Sequence, residues 1–257
     1  MLRLTDTIKH LLIVNVILFL APQLFQINLT NILALHFPKN EYFGFWQYIT
    51  HMFMHGGFGH IVFNMYGLWA FGTPLEQMWG RNKFIFFYFS AGIGAGLIYT
   101  LVNYYQFSQF YDYLVNIGVS ENHISQLIEI VPYSIEDFKS QANVILSNST
   151  SLKEQVDLSK LIDINAINRT PAVGASGAIY GVLVAFGLHF KDAKLALIFF
   201  PIPIAAKYFI PALILIDVFF GMTKYSIGNI AHFAHIGGAI IGFIVAYYWK
   251  KNQFKMR

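Results

Sequence analysis

Polar side chains that could carry out chemistry lie within three apolar stretches of the sequence, each beside small residues. His60 and Asn64 stand four residues apart, so they share one face of a helix. Ser176 follows in a Gly-Ala-Ser-Gly segment, and His235 comes near the end of the chain, before Ile and two consecutive glycines. A serine hydroxyl becomes a nucleophile when a neighbouring base accepts its proton, and histidine is the usual base. The residue types therefore indicate nucleophilic catalysis, provided that the fold brings Ser176 and His235 together.

Glycines at helical spacing offer a way to bring these two residues together. They line one face of each of the two stretches that hold Ser176 and His235, and helices need such small residues to approach each other closely. The glycines are Gly174, Gly177 and Gly181 in the first stretch and Gly238 and Gly242 in the second. We therefore predict a helix contact that places the Ser176 hydroxyl within hydrogen-bond reach of the His235 ring. A helix that starts at Thr170 and Pro171 would put Ser176 in its second turn.

The composition is that of a membrane protein. Of 257 residues, 56% are hydrophobic and 12% are charged, whereas soluble domains carry about 25% charged residues. Lipid is the natural solvent for such a chain. The net charge of +4 is spread over short clusters between apolar stretches, which argues against a nucleic-acid partner. The chain has no cysteine, so disulfides and thiolate chemistry are excluded.

Six apolar stretches are long enough to cross a bilayer as helices. They cover about 8–27, 58–79, 84–104, 171–190, 206–222 and 231–249. The fifth helix is expected to start near Ala206, because Pro201 and Pro203 interrupt the apolar stretch before it, and to be kinked at Pro211. Residues 105–170 carry eight acidic and four basic residues, and segments 121–130 and 152–162 have helix-compatible spacing. We expect this part to be a small helical insert outside the membrane.

The distribution of basic residues predicts how the chain is oriented. Six spans place both termini on one side of the membrane, together with eleven basic residues, and leave six on the other side. Basic residues are enriched in cytoplasmic loops. We therefore expect a multi-pass protein of a bacterial inner membrane with both termini in the cytoplasm.

The chain resembles the rhomboid family of intramembrane serine proteases, of the bacterial type, over all six predicted spans. Residues 174–177, Gly-Ala-Ser-Gly, resemble the family's GxSG motif, and residues 234–238, Ala-His-Ile-Gly-Gly, resemble its AHxGG motif. The pair His60 and Asn64 is similar to the family's HxxxN pair. The resemblance implies an all-α membrane protein with a six-transmembrane-helix bundle. Its core would be formed by residues 1–104, with spans 1–3, and 171–257, with spans 4–6, while the resemblance says nothing about the insert 105–170.

Two further motifs resemble the family. Residues 72–80 resemble a GxxxExxxG motif whose glutamate, here Glu76, is expected to have a structural role. Trp46 and Gln47 resemble a Trp-Arg element of the first outer loop, with Gln47 replacing the usual arginine.

The resemblance implies a Ser–His dyad that cleaves transmembrane segments of other membrane proteins. Ser176 would attack the scissile carbonyl, and His235 would take the proton and return it to the leaving amine. Asp217 is the nearest acid to the dyad in sequence, but it is expected at the outer end of the fifth span, so we predict no third member of the catalytic group.

The resemblance also implies the residues around the dyad. The oxyanion donors would be His60, Asn64 and the backbone N–H of Ser176. The supporting residues would be Tyr180, Gly174, Gly177 and Gly238. Tyr180 would orient the His235 ring by stacking on it. No cofactor or metal is implied, and the sequence contains no HExxH motif.

Two other functions stay open at this point. A non-catalytic relative would bind or escort membrane proteins, although such a protein is expected to lack the serine or the histidine. A proton-coupled transporter would use His60, Asn64 and His235 as a proton path, but inverted repeats with broken helices are not visible in the sequence. The roles of three further histidines also stay open. His51 and His55 fit hydrogen bonds within the outer loop or a metal, and His232 fits either support of the site or packing.

Overall fold

Helices dominate the computed structural model, as they must in an apolar chain whose backbone has to satisfy its own hydrogen bonds in lipid. The structure describes residues 3–146, 155–197, 200–223 and 231–252. The helices up to residue 116 are α1 (Asp6–Phe25), α2 (Thr30–Leu33), α3 (Gln47–Thr50), α4 (Phe58–Gly67), α5 (Thr73–Trp79) and α6 (Arg81–Asn116). The later helices are α7 (Glu121–Glu129), α8 (Ile135–Ile145), α9 (Leu158–Arg169), α10 (Ser176–His189), α11 (Ala206–Met222) and α12 (His232–Asn252).

Among the described residues, three helices are long and apolar enough to cross a membrane, namely α1, α6 and α12. Helix α10 is apolar but shorter. The second predicted span is helical throughout, because a π-helical segment, Leu68–Gly72, joins α4 to α5. The fifth begins at Ala206, as the proline pattern predicts. The protein is thus a multi-pass membrane protein, while the count of six spans stays a prediction.

The chain forms two compact units with separate hydrophobic cores. Unit 1 comprises Met1–Leu35, Phe45–Tyr99 and Ala172–Arg257, and unit 2 comprises His36–Gly44 and Thr100–Pro171. Leu68, Phe84 and Val182 are among the buried residues of the first core, and Phe107 and Ile124 among those of the second. The helix predicted over 121–130 is observed as α7. The other predicted helical segment covers 152–162. Its residues 152–154 lie outside the described residues, and its remainder overlaps the start of α9. The predicted domain boundaries stay a prediction.

The structure is mostly helical, as the sequence predicts, but two local features differ from expectation. Besides the helices there is a short antiparallel strand pair, in which β1 (Lys194–Leu197) pairs with β2 (Phe200–Ala205). Prolines cannot continue a helix there, since they lack the N–H and clash with the preceding turn. The fourth helix starts at Ser176 rather than near Pro171, so Ser176 lies in its first turn. The preceding segment is held extended by two hydrogen bonds between Ala172 and Leu35, of 2.9 and 2.8 Å.

Glu76 anchors the start of α1. Its carboxylate accepts hydrogen bonds from the Thr5 hydroxyl and from the backbone N–H groups of Thr7 (3.1 Å) and Ile8 (3.2 Å). The first N–H groups of a helix have no partner within the helix, and a negative charge there also matches the helix dipole. Glu76 thereby joins α5 to α1, which agrees with the structural role expected for this residue.

Helices α10 and α12 are in backbone contact along their glycines. A Cβ built at Gly242 would lie 2.4 Å from the Cα of Gly181, and one built at Gly181 would lie 3.0 Å from the oxygen of Gly238. A side chain at Gly242 would force the helices apart, since real Cβ atoms essentially never approach other atoms so closely, and one at Gly181 would be tightly crowded. The glycine pattern in the sequence therefore corresponds to a real close approach of the two helices.

Candidate active site

Ser176 and His235 form a hydrogen-bonded pair at the start of α10 and α12. The distance from Ser176 Oγ to His235 Nε2 is 2.8 Å. Both side chains are only partly buried, so the pair can be reached from outside. Ser176 is the first residue of its helix, where the exposed N–H groups and the helix dipole favour developing negative charge. The pair has the geometry that a nucleophile and its general base require.

Tyr180 lies one helical turn after Ser176 and stacks on the His235 ring. The two ring centroids are 4.2 Å apart and the ring planes are inclined by 10°. The stack restricts rotation of the imidazole about its side-chain bonds, and so keeps Nε2 directed at the serine. The supporting role of Tyr180 stays a prediction, but the contact that it needs is present.

The expectation that no acidic residue reaches the pair is wrong. Asp217 on α11 places its Oδ1 3.1 Å from His235 Nδ1, and the aspartate is buried, at 5% relative exposure. Asp217 does lie in the last turns of its helix, but its side chain faces α12 rather than the outer end of the span. An ionisable residue within an apolar helix normally faces the interior of the bundle, and this rule would have identified Asp217 from the sequence.

The Asp217 carboxylate has two further partners. His232, one turn before His235 on α12, places its Nδ1 2.5 Å from the same Oδ1. The Tyr180 hydroxyl donates a hydrogen bond to the other oxygen, Oδ2. These contacts show that His232 belongs to the group of polar residues around the Ser176–His235 pair, a question that the sequence left open.

The carboxylate and the two histidines also form a group that could hold a metal ion. Within the described part of the chain, one ligand atom each from Asp217, His232 and His235 lie within 4.8 Å of one another. Histidine and carboxylate donors suit Zn²⁺. The hydrogen bonds from the two imidazoles to one carboxylate oxygen also account for this arrangement.

His60 and Asn64 converge on the backbone that precedes Ser176. A Cβ built at Gly174 would lie 2.7 Å from His60 Nε2 and 3.6 Å from Asn64 Nδ2. Gly174 also has a φ of 122°, which side-chain-bearing residues rarely adopt. Its own N–H is held by the carbonyl oxygen of His51 at 2.9 Å. The glycine therefore gives the two nitrogen atoms room beside the nucleophile.

Two observations indicate that these nitrogens are available as hydrogen-bond donors. The backbone N–H of Gly56 donates to His60 Nδ1 at 3.4 Å, which leaves the proton of a neutral ring on Nε2. Nδ2 of Asn64 is buried and has no hydrogen-bond partner among the described residues. A buried donor without a partner is costly and rare in native proteins, so it calls for an explanation.

The loop before α4 is fixed by backbone contacts of the Trp46–Gln47 element. Trp46 Nε1 donates to the carbonyl oxygen of Ile32 at 2.7 Å, and Gln47 Nε2 lies 3.3 Å from the same oxygen. His51 Nδ1 lies 2.7 Å from the carbonyl oxygen of Gln47, in keeping with the loop-folding role considered for this histidine. The ring of His55 packs edge-on against His60, with centroids 5.1 Å apart.

Comparison with known proteins identifies the family of this fold and site. A rhomboid domain model matches residues 42–127 and 143–252. The yeast (Saccharomyces cerevisiae) protein "Rhomboid protein 1, mitochondrial" is 25% identical over 205 residues, which cover 80% of this chain and 42% of the relative. "RHOMBOID-like protein 12, mitochondrial" of Arabidopsis thaliana is 26% identical over 207 residues, which cover 80% of this chain and 47% of the relative.

A bacterial relative matches over a shorter stretch. "Rhomboid protease AarA" of Providencia stuartii is 31% identical over 94 residues, which cover 37% of this chain and 29% of the relative. The chain thus spans less than half the length of each of these three relatives. Because mitochondrial and bacterial proteins both match, the bacterial type stays a prediction. The domain model, however, matches well over half of the sequence, and the chain therefore belongs to the rhomboid family.

Proposed function

We propose that this protein is an intramembrane serine endopeptidase that cleaves transmembrane segments of other membrane proteins. The observation that carries the proposal is the 2.8 Å contact between Ser176 Oγ and His235 Nε2, in a helix pair held together by glycines. The name of one relative, "Rhomboid protease AarA", supports a protease activity within the family. A non-catalytic escort protein would have no need for a serine and a histidine in this arrangement.

In the proposed reaction, Ser176 is the nucleophile and His235 is the general base. The Ser176 hydroxyl proton moves to His235 Nε2 as Oγ attacks the scissile carbonyl carbon. His235 then gives that proton to the leaving amine as the C–N bond breaks, which leaves an acyl-enzyme. Water, deprotonated by the same imidazole, hydrolyses the ester and returns Ser176 to its starting state.

The negative charge on the carbonyl oxygen would be stabilised by His60, Asn64 and the backbone N–H of Ser176. Two of these are side-chain nitrogens that already lie together beside Gly174. The third belongs to the first residue of α10, whose N–H has no partner within the helix. Donors fixed in place before the reaction need no reorganisation in the transition state, and this is usually a large part of enzymatic rate enhancement.

The proposed substrate is a membrane protein that approaches through the lipid bilayer. Helix α11, which carries Asp217, exposes the apolar side chains of Leu215 and Phe219, a surface suited to lipid or to an apolar helix. A peptide bond within a helix is shielded from attack, so the substrate must unwind near the cut. Helix-destabilising residues such as Gly and Pro are expected there.

We further propose six spans, with both termini in the cytoplasm of a bacterial inner membrane and the insert 105–170 on the other side. The excess of basic residues on the side of the termini supports this orientation. The three helices that meet the length criterion, together with the apolar helices from Phe58 to Trp79, from Ser176 to His189 and from Ala206 to Met222, supply the six candidates.

Labelling with a fluorophosphonate tests the activated serine without knowledge of the natural substrate. The purified protein in detergent should be labelled at Ser176, and Ser176→Ala should abolish the label. Ser140→Ala, at an exposed serine of α8, is the matched control and should be labelled like the unmodified protein. Equal labelling of Ser176→Ala and the unmodified protein, or no labelling of either, would favour the escort or transporter hypothesis.

A further inference from the structure

We propose that Asp217 is a positioning residue of this site, which fixes the tautomer and orientation of His235. His232 and Tyr180 hold the aspartate in place. The inference rests on the proposed function, and it replaces the predicted dyad with a chain of three residues from three helices, α10, α12 and α11. It is carried by three hydrogen bonds that converge on one buried carboxylate.

The carboxylate determines which nitrogen of His235 carries the proton. An ionised carboxylate can only accept hydrogen bonds, so the contact of 3.1 Å requires a proton on Nδ1. A neutral imidazole then has its lone pair on Nε2, the nitrogen that lies 2.8 Å from the Ser176 hydroxyl. The other tautomer would offer the serine a donor instead of an acceptor. Asp217 thus keeps the ring in the one form that can take the serine proton.

The position of the carboxylate is itself fixed from two sides. His232 reaches it from the first turn of α12 at 2.5 Å, and Tyr180 reaches it from α10. Both oxygens accept at least one hydrogen bond, as a charge buried among apolar helices requires, since an unpaired buried charge is very costly. Tyr180 has a double contact, because its ring stacks on His235 while its hydroxyl bonds to Asp217.

The arrangement acts mainly in the transition state. His235 gains a positive charge when it accepts the serine proton, and the neighbouring carboxylate stabilises that charge without taking the proton itself. An interaction that strengthens in the transition state raises kcat and leaves substrate binding nearly unchanged. Loss of Asp217 should therefore lower kcat much more than it changes KM.

Asp217→Asn tests this inference in proteoliposomes with a model transmembrane substrate. The amide keeps the size of the side chain, but its NH₂ group can bond to Nδ1 and so favour the wrong tautomer. We expect kcat to fall by up to about 10⁴, the loss found when the aspartate of a Ser-His-Asp triad is changed to asparagine, with KM within a fewfold. Asp192→Asn, at an exposed carboxylate paired with Lys207 outside the site, is the matched control and should retain full kcat.

Tyr180→Phe separates the hydrogen bond to Asp217 from the ring stack. It keeps the aromatic ring on His235 and removes only the hydroxyl that bonds to Asp217. We expect a fall in kcat of about tenfold, the rate equivalent of one hydrogen bond. Unchanged kcat in this variant would remove Tyr180 from the assignment.

A second measurement separates a positioning role from a general loss of structure. If Asp217 acts by positioning His235, Asp217→Asn should slow fluorophosphonate labelling of Ser176 per folded molecule, with the folded fraction taken from the melting curve of the same preparation. Unslowed labelling per folded molecule, or full turnover of the variant, would overturn the inference. Cleavage that survives Ser176→Ala would instead overturn the proposed function, so the two failures are distinguishable.

Discussion

Gly238 on α12 packs directly against the carbonyl oxygen of Gly177 on α10, and a Cβ built at Gly238 would lie 1.8 Å from that oxygen. Gly177 follows Ser176 in the chain, and Gly238 lies one turn after His235. The contact between the two glycines therefore sets the distance between the two reacting side chains. It explains in physical terms why small residues accompany the polar ones in both helices.

Gly238→Ala should separate the two helices and disrupt the site. The added methyl group meets backbone, which cannot rotate away as a flexible side chain can, so the helices must move. We expect a lower melting temperature and a loss of most turnover per folded molecule, measured on one preparation. Gly59→Ala is the control, because a Cβ there meets nothing within 4 Å. A Gly238→Ala protein with normal melting temperature and turnover would show that the contact does not set the site.

Asn64→Ala should lower kcat while leaving the fold nearly intact. Removal of one oxyanion donor typically costs about 10²–10³ in turnover. Nδ2 of Asn64 has no hydrogen-bond partner among the described residues. Its removal therefore leaves no acceptor there unpaired, and the fold should lose little stability. KM should change little, and slow fluorophosphonate labelling of Ser176 should persist. A packing role predicts the opposite result, with a lower melting temperature and preserved turnover per folded molecule.

Glu76→Gln should destabilise the protein without changing its chemistry. In the unmodified protein, Thr5, Thr7 and Ile8 donate hydrogen bonds to the Glu76 carboxylate. The amide of the variant keeps one acceptor oxygen, but its NH₂ group would face these donors and could not accept from them. A buried donor left unsatisfied costs about 1–3 kcal/mol. We expect a lower melting temperature with unchanged kcat in the remaining folded protein, and Glu41→Gln, at an exposed position, should change neither. A selective fall in kcat would contradict a purely structural role.

Single cysteines can test the orientation in the membrane, because the chain has none of its own. Tyr133→Cys replaces a side chain of the insert that is 97% exposed. In intact spheroplasts, an impermeant maleimide should label this cysteine but not one at Lys251→Cys near the C-terminus. After lysis both should react. Labelling of Lys251→Cys alone before lysis would reverse the proposed topology.

The sequence predicted the features that depend on local pattern. Apolar stretches and prolines indicated the positions of the helices, including the start of α11 at Ala206. Glycine spacing indicated the contact between α10 and α12, because only glycine permits backbone contact. These properties are read from neighbouring residues along one helix and need no knowledge of other elements.

Features that depend on distant parts of the chain were missed. The start of α10 at Ser176 results from the pairing of Ala172 with Leu35, which is far away in sequence. The contact of Asp217 with His235 depends on how α11 is rotated against α12, and sequence position alone suggested an outer location. A single acidic residue in an apolar helix was nevertheless a usable signal, since such residues usually face a partner inside the bundle.

Cleavage of a model transmembrane substrate in proteoliposomes tests the central claim most directly. We predict that the unmodified protein cleaves the substrate. Ser176→Ala and His235→Ala should each abolish cleavage while retaining a normal melting temperature. The double variant should be no less active than either single variant, because the two residues act as a unit. Substantial cleavage by folded Ser176→Ala or His235→Ala would contradict the account.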